Sequence, residues 1–410
     1  MAKAAILGCG TVGSGVLEIF QESAALLAQR AGEPLTIAYV LVRRVPAALP
    51  DTPLFVTDLQ TILDDPEVTV AAECIGGVKA AYPYVKACLQ RGVSVCTSNK
   101  ELVATYGAEL LALARAKQCA FLFEAAVGGG MPVIAPLYQC LSANRVRAVR
   151  GILNGTTNFM LTKMERDGMS FAEALHLAQQ LGYAETVDPG DDVDGRDACR
   201  KIAILASMMA GRQIPVEKIP VRGIRGLTVQ DMAAAKRLGC AVKLIAWARL
   251  DAADTVQAGV EPMLVPLADP LAEVNDVFNG VTLTGDRTGD TFYSGRGAGK
   301  LPTASAVVAD MLDAVNYGPA VQNRLFWTEA DPADAPGTRA APAAYYVRAE
   351  GVTAQALAEL YSGTPVGTPE DTAACLTACL TPTELDAGMQ KLKAAGGSCV
   401  CLLRKLENQS

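Results

Sequence analysis

Histidine is almost missing from this chain: His176 is the only one in 410 residues. That nearly excludes histidine–metal centres and Ser-His-Asp triads. His176 itself, in FAEALHLAQQLG, is predicted to face outward from a helix. Aromatic residues are scarce at 5%, charged residues reach only 19%, and half the chain is apolar. This is the composition of a globular protein with sizeable cores, and the length predicts two or three domains. Positive charge is not in excess: the net charge is −7 and no long basic run occurs. Neither nucleic acid nor an anionic membrane is expected as a partner. No apolar run reaches membrane-spanning length, and KAAILGCG enters a strand without the features of a signal peptide. The twelve cysteines form no Cys-x-x-Cys pair, and several lie in apolar runs such as SVCTSN, QCAFLFE and SCVCLL. They read as small buried residues of a reducing compartment, so a cytoplasmic protein is the expectation.

What is present is strongly patterned. Short apolar runs at 4–8, 37–42, 70–75, 93–97 and 120–124 alternate with helical patterns over 13–30, 79–91 and 101–117. This alternation predicts an α/β protein with a Rossmann-type doubly wound parallel sheet. VRAVRGILNGTTNFML then reads as strand, glycine turn and helix, and helical sequence continues to about 213. Strand-like pieces over 242–284 predict a more antiparallel α+β unit, and PTASAVVADMLDAVN (302–316) is a long helix with a proline start. EADPADAPGTRAAP reads as a linker, and 344–407 as a small ferredoxin-like βαββαβ unit.

ILGCGTVGSG places Gly8, Gly10 and Gly13 at G-x-G-x-x-G spacing, after a strand and before a helix. Gly8 permits the tight turn, Gly10 lets backbone approach a pyrophosphate, and Gly13 lets helix and strand pack closely. The helix N-terminus then faces the phosphates. A merely structural turn is the alternative, and the strand–loop–helix context favours dinucleotide binding. The second strand ends in YVLVRR. Arg43 and Arg44 stand where an acid would grip a ribose 2′-OH, which favours NADP; two solvated arginines beside a site for NAD are the alternative. The loop CTSNKE follows a later strand, so Ser98 and Lys100 are placed to reach the cofactor cleft.

GYAETVDPGDDVDGRDACRK (182–201) crowds Glu185, Asp188, Asp191, Asp192, Asp194 and Asp197 ahead of a helix. Asp197 and Lys201 stand at i,i+4 and share a helix face, with Lys201 at the border of the apolar stripe of IAILASMMA. An ordinary intrahelical ion pair is the plain reading. The mutual repulsion of the acids points beyond it, to a substrate ammonium settling among them. Calcium competes, but the loop lacks the closing bidentate Glu of an EF-hand. GILNGTTNF, with Gly155 and Thr156, supplies free N–H groups and hydroxyls for a carboxylate. An amino acid would thus be held at both ends.

LGCGTVGSG, TSNKELVA, EAAVGGGMPVI, RGILNGTTNFML, DPGDDVDGRDACRKIAILA and GAGKLPTASAVVADML occur in this order over roughly residues 4–316. Together they resemble the motifs of homoserine dehydrogenases. The resemblance implies NAD(P)-dependent interconversion of L-aspartate 4-semialdehyde and L-homoserine in threonine and methionine biosynthesis. It implies that Lys201 is the acid/base, with Asp197 and Lys100 beside it. Substrate binding is expected at Glu185, Asp192, Asp197, Gly155, Thr156 and Tyr183. Cofactor contacts are expected at Gly8, Gly10, Thr11, Val12, Gly13, Arg43, Ser98, Lys100, Gly182, Glu185 and Gly297. EAAVGGGM resembles the family's monovalent cation site, with Glu124, Val127, Gly129 and Met131 as ligands to Na⁺ or K⁺. The implied organisation is a nucleotide-binding domain over 1–130, completed by helix 302–320, and a substrate-binding, catalytic and dimerisation domain over 131–301. An ACT-like regulatory domain covers 340–410, and a homodimer is implied. Two features depart from the pattern: one extra residue between Glu185 and Asp197, and no Asp-x-Pro-Gly-like turn in RAEGVTAQALAEL. The rivals are a non-catalytic sensor of NADP and an amino acid, and an aspartate semialdehyde dehydrogenase. The second needs a cysteine nucleophile with a histidine base, which His176 is badly placed to supply.

Overall fold

The computed structural model describes residues 2–45, 53–332, 334, 336, 341–367 and 373–406. Parts of the expected linker (333, 335, 337–340) and of the C-terminal unit (368–372, 407–410) lie outside the described residues.

Among the described residues, six strands form the first sheet: Ala2–Leu7 (β1), Leu35–Leu41 (β2), Leu54–Val56 (β3), Val68–Glu73 (β4), Ser94–Thr97 (β5) and Phe121–Leu122 (β6). All neighbours are parallel, in the order β3-β2-β1-β4-β5-β6. This is the doubly wound order, and its switch point falls between β1 and β4. β4 and β5 are almost wholly buried because helices cover both faces of the sheet, which their apolar sequences require. Helix Lys300–Tyr317 returns late in the chain to pack on β4, β5 and helix Thr11–Glu22. Two details differ from the sequence reading. The helix expected over 13–30 divides at Ser23 into Thr11–Glu22 and Ala24–Ala31, and β3 was not expected at all. At three residues, β3 is too short to show a period.

Among the described residues, nine strands form the second sheet: Val146–Ile152 (β7), Cys240–Leu250 (β8), Val256–Pro266 (β9), Phe278–Gly285 (β10), Gly289–Arg296 (β11), Tyr345–Glu350 (β12), Thr364–Pro365 (β13), Ala373–Leu376 (β14) and Ser398–Lys405 (β15). Their order is β11-β10-β7-β8-β9-β15-β12-β14-β13. β11 escaped the sequence reading because it is a partly exposed edge strand of mostly polar residues. The last four strands enclose helices Ala354–Leu360 and Pro382–Ala394, and they give the βαββαβ succession expected for 344–407. This unit is not a separate layer, however. β15 pairs parallel to β9 through Arg404↔Met263 and Lys405↔Leu264, so one sheet runs through both segments.

A buried ion pair clamps that junction. Asp231, in helix Val229–Arg237, is fully buried and accepts from Arg348 Nε at 2.7 Å, Arg348 Nη2 at 3.0 Å and the Tyr346 hydroxyl at 3.1 Å. The same carboxylate completes a capping box with Thr228. Removing one partner of such a pair strands the other charge in the interior. Asp231→Ala is therefore expected to cost about 3 kcal/mol or more, measured as a lower urea midpoint. Loss of less than about 1 kcal/mol, the level of an exposed pair, would show the clamp to be solvated.

Candidate active site

Helix Arg196–Ala210 packs against both β8 and β9 of the second sheet and helix Lys100–Ala116 of the first domain. Its first turn therefore lies where the loops after β5 and β7 meet. A cavity of about 560 Å³ opens there, among Ser98, Lys100, Val127, Asn154, Gly155, Thr156, Gly182, Tyr183, Asp192, Asp197, Lys201 and Gly297. A hollow of about 510 Å³ lies over β7, β8 and β15, but it joins none of the parallel-sheet loops.

At the centre is the Asp197 carboxylate, 4% exposed. Its Oδ1 lies 2.7 Å from Lys100 Nζ and its Oδ2 lies 2.9 Å from Lys201 Nζ. Burial opposes the charge on Asp197, but the two ammonium groups and the Asn154 amide outweigh it and hold the carboxyl well below its usual range. Burial likewise opposes the charge on Lys100, and Asp197 reverses the balance and raises its pKa. Lys201 is itself 9% exposed and donates a second hydrogen bond to the Leu153 carbonyl at 2.7 Å. The plain i,i+4 pair is thus present, but inside a wall that faces a cavity.

Asn154 was missed in the sequence. It ends the turn after β7, and its Oδ1 caps helix Gly155–Arg166 by accepting the Thr157 N–H at 2.8 Å. Its Nδ2 donates to Asp192 at 2.7 Å and to Asp197 at 2.9 Å. The signal was the Asn before Gly155, a helix-cap residue between an apolar strand and a helix.

The acids are not left to repel one another. Asp191 pairs with Arg200 at 2.7 Å, and Asp194 with Arg225 at 2.5 Å and Arg196 at 3.2 Å. Asp188 accepts the Gly190 N–H. This corrects the argument that the crowding itself demands an external cation. Asp192 alone of the five acids preceding Asp197 lines the cavity, and the Asn154 amide is the group that bonds it. Burial pushes its carboxyl up, the amide opposes this, and the nearby Asp197 charge adds to the rise. Glu185, expected at both the substrate and the cofactor, is exposed and is not among the wall residues. The Thr156 hydroxyl is spent on the Tyr183 carbonyl at 2.8 Å, and the Tyr183 ring packs edge-on against Phe159 at 5.1 Å.

The glycine loop fits a dinucleotide. A Cβ on Gly13 would lie 1.9 Å from the Gly8 carbonyl, whereas the space around Gly10 is open. Helix Thr11–Glu22 has no side-chain cap, so the amides of Thr11, Val12 and Gly13 are offered to a ligand. Arg43 is exposed just beyond β2. The expected cation turn is arranged differently from the sequence reading. Both carboxylate oxygens of Glu124 are taken by amides, Oε1 by Val133 at 2.6 Å and Ile134 at 2.9 Å, Oε2 by Ala135 at 2.7 Å. Main-chain amides thus hold three of the carboxylate's acceptor positions. The glycines of this turn answer to packing: a Cβ on Gly129 would lie 2.3 Å from the Gly297 carbonyl. Val127 lines the cavity; Gly129 and Met131 do not. His176 is exposed on helix Phe171–Gln180, as expected.

Comparison with known proteins identifies the family. Residues 8–124 match a family model described as the homoserine dehydrogenase NAD-binding domain, and residues 132–312 match one described as homoserine dehydrogenase. The chain is 42% identical over 313 residues to the homoserine dehydrogenase of Bacillus subtilis, covering 76% of this chain and 72% of that one. Among solved structures, a homoserine dehydrogenase from Thiobacillus denitrificans superposes with a TM-score of 0.87 at 34% identity, covering 99% of this chain and 98% of that one. A hyperthermophilic archaeal homoserine dehydrogenase in complex with NADPH superposes with a TM-score of 0.65 at 26% identity, covering 76% of this chain and 97% of that one.

The depressed Asp197 carboxyl sets a pH dependence. A carboxyl held low in the fold stabilises it fully above the unfolded pKa of about 3.9, and loses this as pH falls towards the folded value. Asp197→Asn is expected to lower the thermal midpoint by a constant amount from pH 8 to about 5, with the gap closing below about pH 4. A gap that stays constant down to pH 2 contradicts the assignment.

Proposed function

Because the chain belongs to the homoserine dehydrogenase family, NAD(P)-dependent oxidoreductases that interconvert L-homoserine and L-aspartate 4-semialdehyde, we propose residue roles for that reaction. The observation that carries them is the Lys100–Asp197–Lys201 array on the cavity wall. Asp192 takes the substrate ammonium, since it faces the cavity with an amide and no arginine upon it. The N–H groups that open helix Gly155–Arg166 receive the substrate carboxylate. When bound, the nicotinamide ring supplies or accepts the hydride. An ammonium carries three N–H bonds, and Asp197 and Leu153 occupy two of those on Lys201. The third protonates the carbonyl oxygen during reduction and recovers the proton during oxidation. Lys100 places a second positive charge where oxygen becomes negative.

NADP is the proposed cofactor, supported by the exposed Arg43 beyond β2 and by the NADPH of the archaeal relative. A monovalent cation at the 124–131 turn rests, in this reading, on main-chain carbonyl oxygens of Glu124, Val127, Gly129 and Met131. The reading also includes a cytoplasmic homodimer and an ACT-like regulatory role for the C-terminal unit, supported by family membership and by the strand order β15-β12-β14-β13. No described helix is long and apolar enough to cross a membrane. A non-catalytic sensor is not favoured, because it has no use for two lysines gathered on one buried acid.

The test is formation of reduced cofactor, read by absorbance, from L-homoserine and NADP at alkaline pH. Lys201→Ala is expected to cut kcat by about 10²- to 10⁴-fold with a much smaller rise in KM. Asp192→Asn is expected to raise the KM for L-homoserine more than it lowers kcat. Unchanged turnover in Lys201→Ala removes the lysine from the mechanism.

A further inference from the structure

One fully buried acid has no part in the roles above. Glu73 ends β4 with no exposure, and among the described residues no lysine or arginine pairs with it. The residues before it, Val70, Ala71 and Ala72, are apolar, as a strand covered on both faces requires. Burial pushes its carboxyl up to about 7, against the pull of the Thr97 hydroxyl and the Ile75 amide. Burying an acid here costs folding free energy, so the groups its oxygens hold are informative.

Glu73 Oε1 accepts the Ile75 N–H at 2.6 Å, and Oε2 accepts the Thr97 hydroxyl at 2.5 Å. Thr97 Oγ1 in turn accepts the Asn99 N–H at 2.9 Å. The Asn99 side chain works both ways. Its Oδ1 accepts the Leu102 N–H at 3.1 Å, capping the helix whose first residue is Lys100. Its Nδ2 lies 3.3 Å from the carbonyls of Ile75 and Gly77. Ile75 packs against the glycine loop, where a Cβ on Gly8 would lie 2.9 Å from its Cγ1. One carboxylate thus gathers the loops after β4 and β5 and reaches the loop after β1.

We propose that Glu73 is a positioning residue for the reaction: through Thr97 and Asn99 it sets Ser98 and Lys100 against Asp197, and through Ile75 it steadies the glycine loop. The inference rests on the reading of Lys100 as part of the reacting site. A residue that only filled space would be served by an apolar side chain, as at the three preceding positions. Glu73 instead ends a chain of hydrogen bonds that runs to the cap of the Lys100 helix.

The test uses full-length Thr97→Val and Glu73→Ala, singly and combined, with Glu73→Gln as the conservative variant. Thr97→Val and Glu73→Ala are each expected to lower kcat about 10- to 100-fold, more than they raise the KM for L-homoserine. The double variant is expected to be no worse than the worse single one, because both cut the same chain. Gln offers an acceptor to Ile75 and a donor to Thr97, whose oxygen can accept twice. Glu73→Gln is therefore expected to return kcat to within about threefold of wild type. Titration of NADPH fluorescence reads the cofactor Kd apart from turnover, and it should rise in Glu73→Ala and return in Glu73→Gln. Wild-type kcat in Thr97→Val, additive losses in the double variant, or a folded Glu73→Gln as impaired as Thr97→Val overturns the proposal. If Glu73→Ala does not fold, Thr97→Val and Glu73→Gln decide it alone. Lys100→Ala separates the two readings. Unchanged turnover there removes the role given to Lys100, whereas a crippled Lys100→Ala beside an unimpaired Thr97→Val removes only the positioning role.

Discussion

Two ammonium groups share one carboxylate at the meeting point of the two sheets, and the rest of the site is arranged around that fact. Lys100 comes from the parallel sheet's side of the molecule, and Asp197 and Lys201 from a helix that lies on the antiparallel strands. The two ammonium groups, one buried on Lys201 and one partly exposed on Lys100, repel each other, and the acid between them offsets this. The acid in turn would not stay ionised there without them. The three groups thus join the two halves of the molecule at the cavity, and the Asn154 amide bonds the acid from a third residue.

The same economy runs outward. Arg200, Arg225 and Arg196 neutralise Asp191 and Asp194 at the rim, so negative charge towards the cavity narrows to Asp192. Asp192, Gly155, Thr156 and both lysines line that same cavity. Further away, Asp231 fastens the C-terminal strands onto the helices behind the site. The C-terminal unit extends the sheet that carries the site, in place of standing off as an independent module.

Much of this was legible in the residues, for stated physical reasons. The glycine loop showed itself because only glycine, which has no Cβ, fits at position 13, where a Cβ would lie 1.9 Å from the Gly8 carbonyl. The parallel strands showed themselves as apolar runs because both of their faces are covered. Lys201 could be placed beside Asp197 because one helical turn separates them. The setting of Glu124 was not legible, for the opposite reason. Its three amide donors lie nine to eleven residues on, in a turn with no period to reveal which way they point. Glu185 was carried to the site by resemblance, and the fold leaves it exposed.

Local sequence by itself determined most of the strands and helices, the phosphate-ready loop and the pairing within one helix turn, because those depend on residues a few positions apart. Tertiary structure decided which acid faces the cavity, which lysine joins from the other sheet, and that an asparagine holds two acids together. Those are matters of charge and hydrogen bonding between groups brought together only by packing. Asp197 meets its amide partner across 43 residues, and Asp194 meets Arg225 across 31. No periodicity in the chain encodes a contact at that range; the burial of the two sheets against their shared helices creates it.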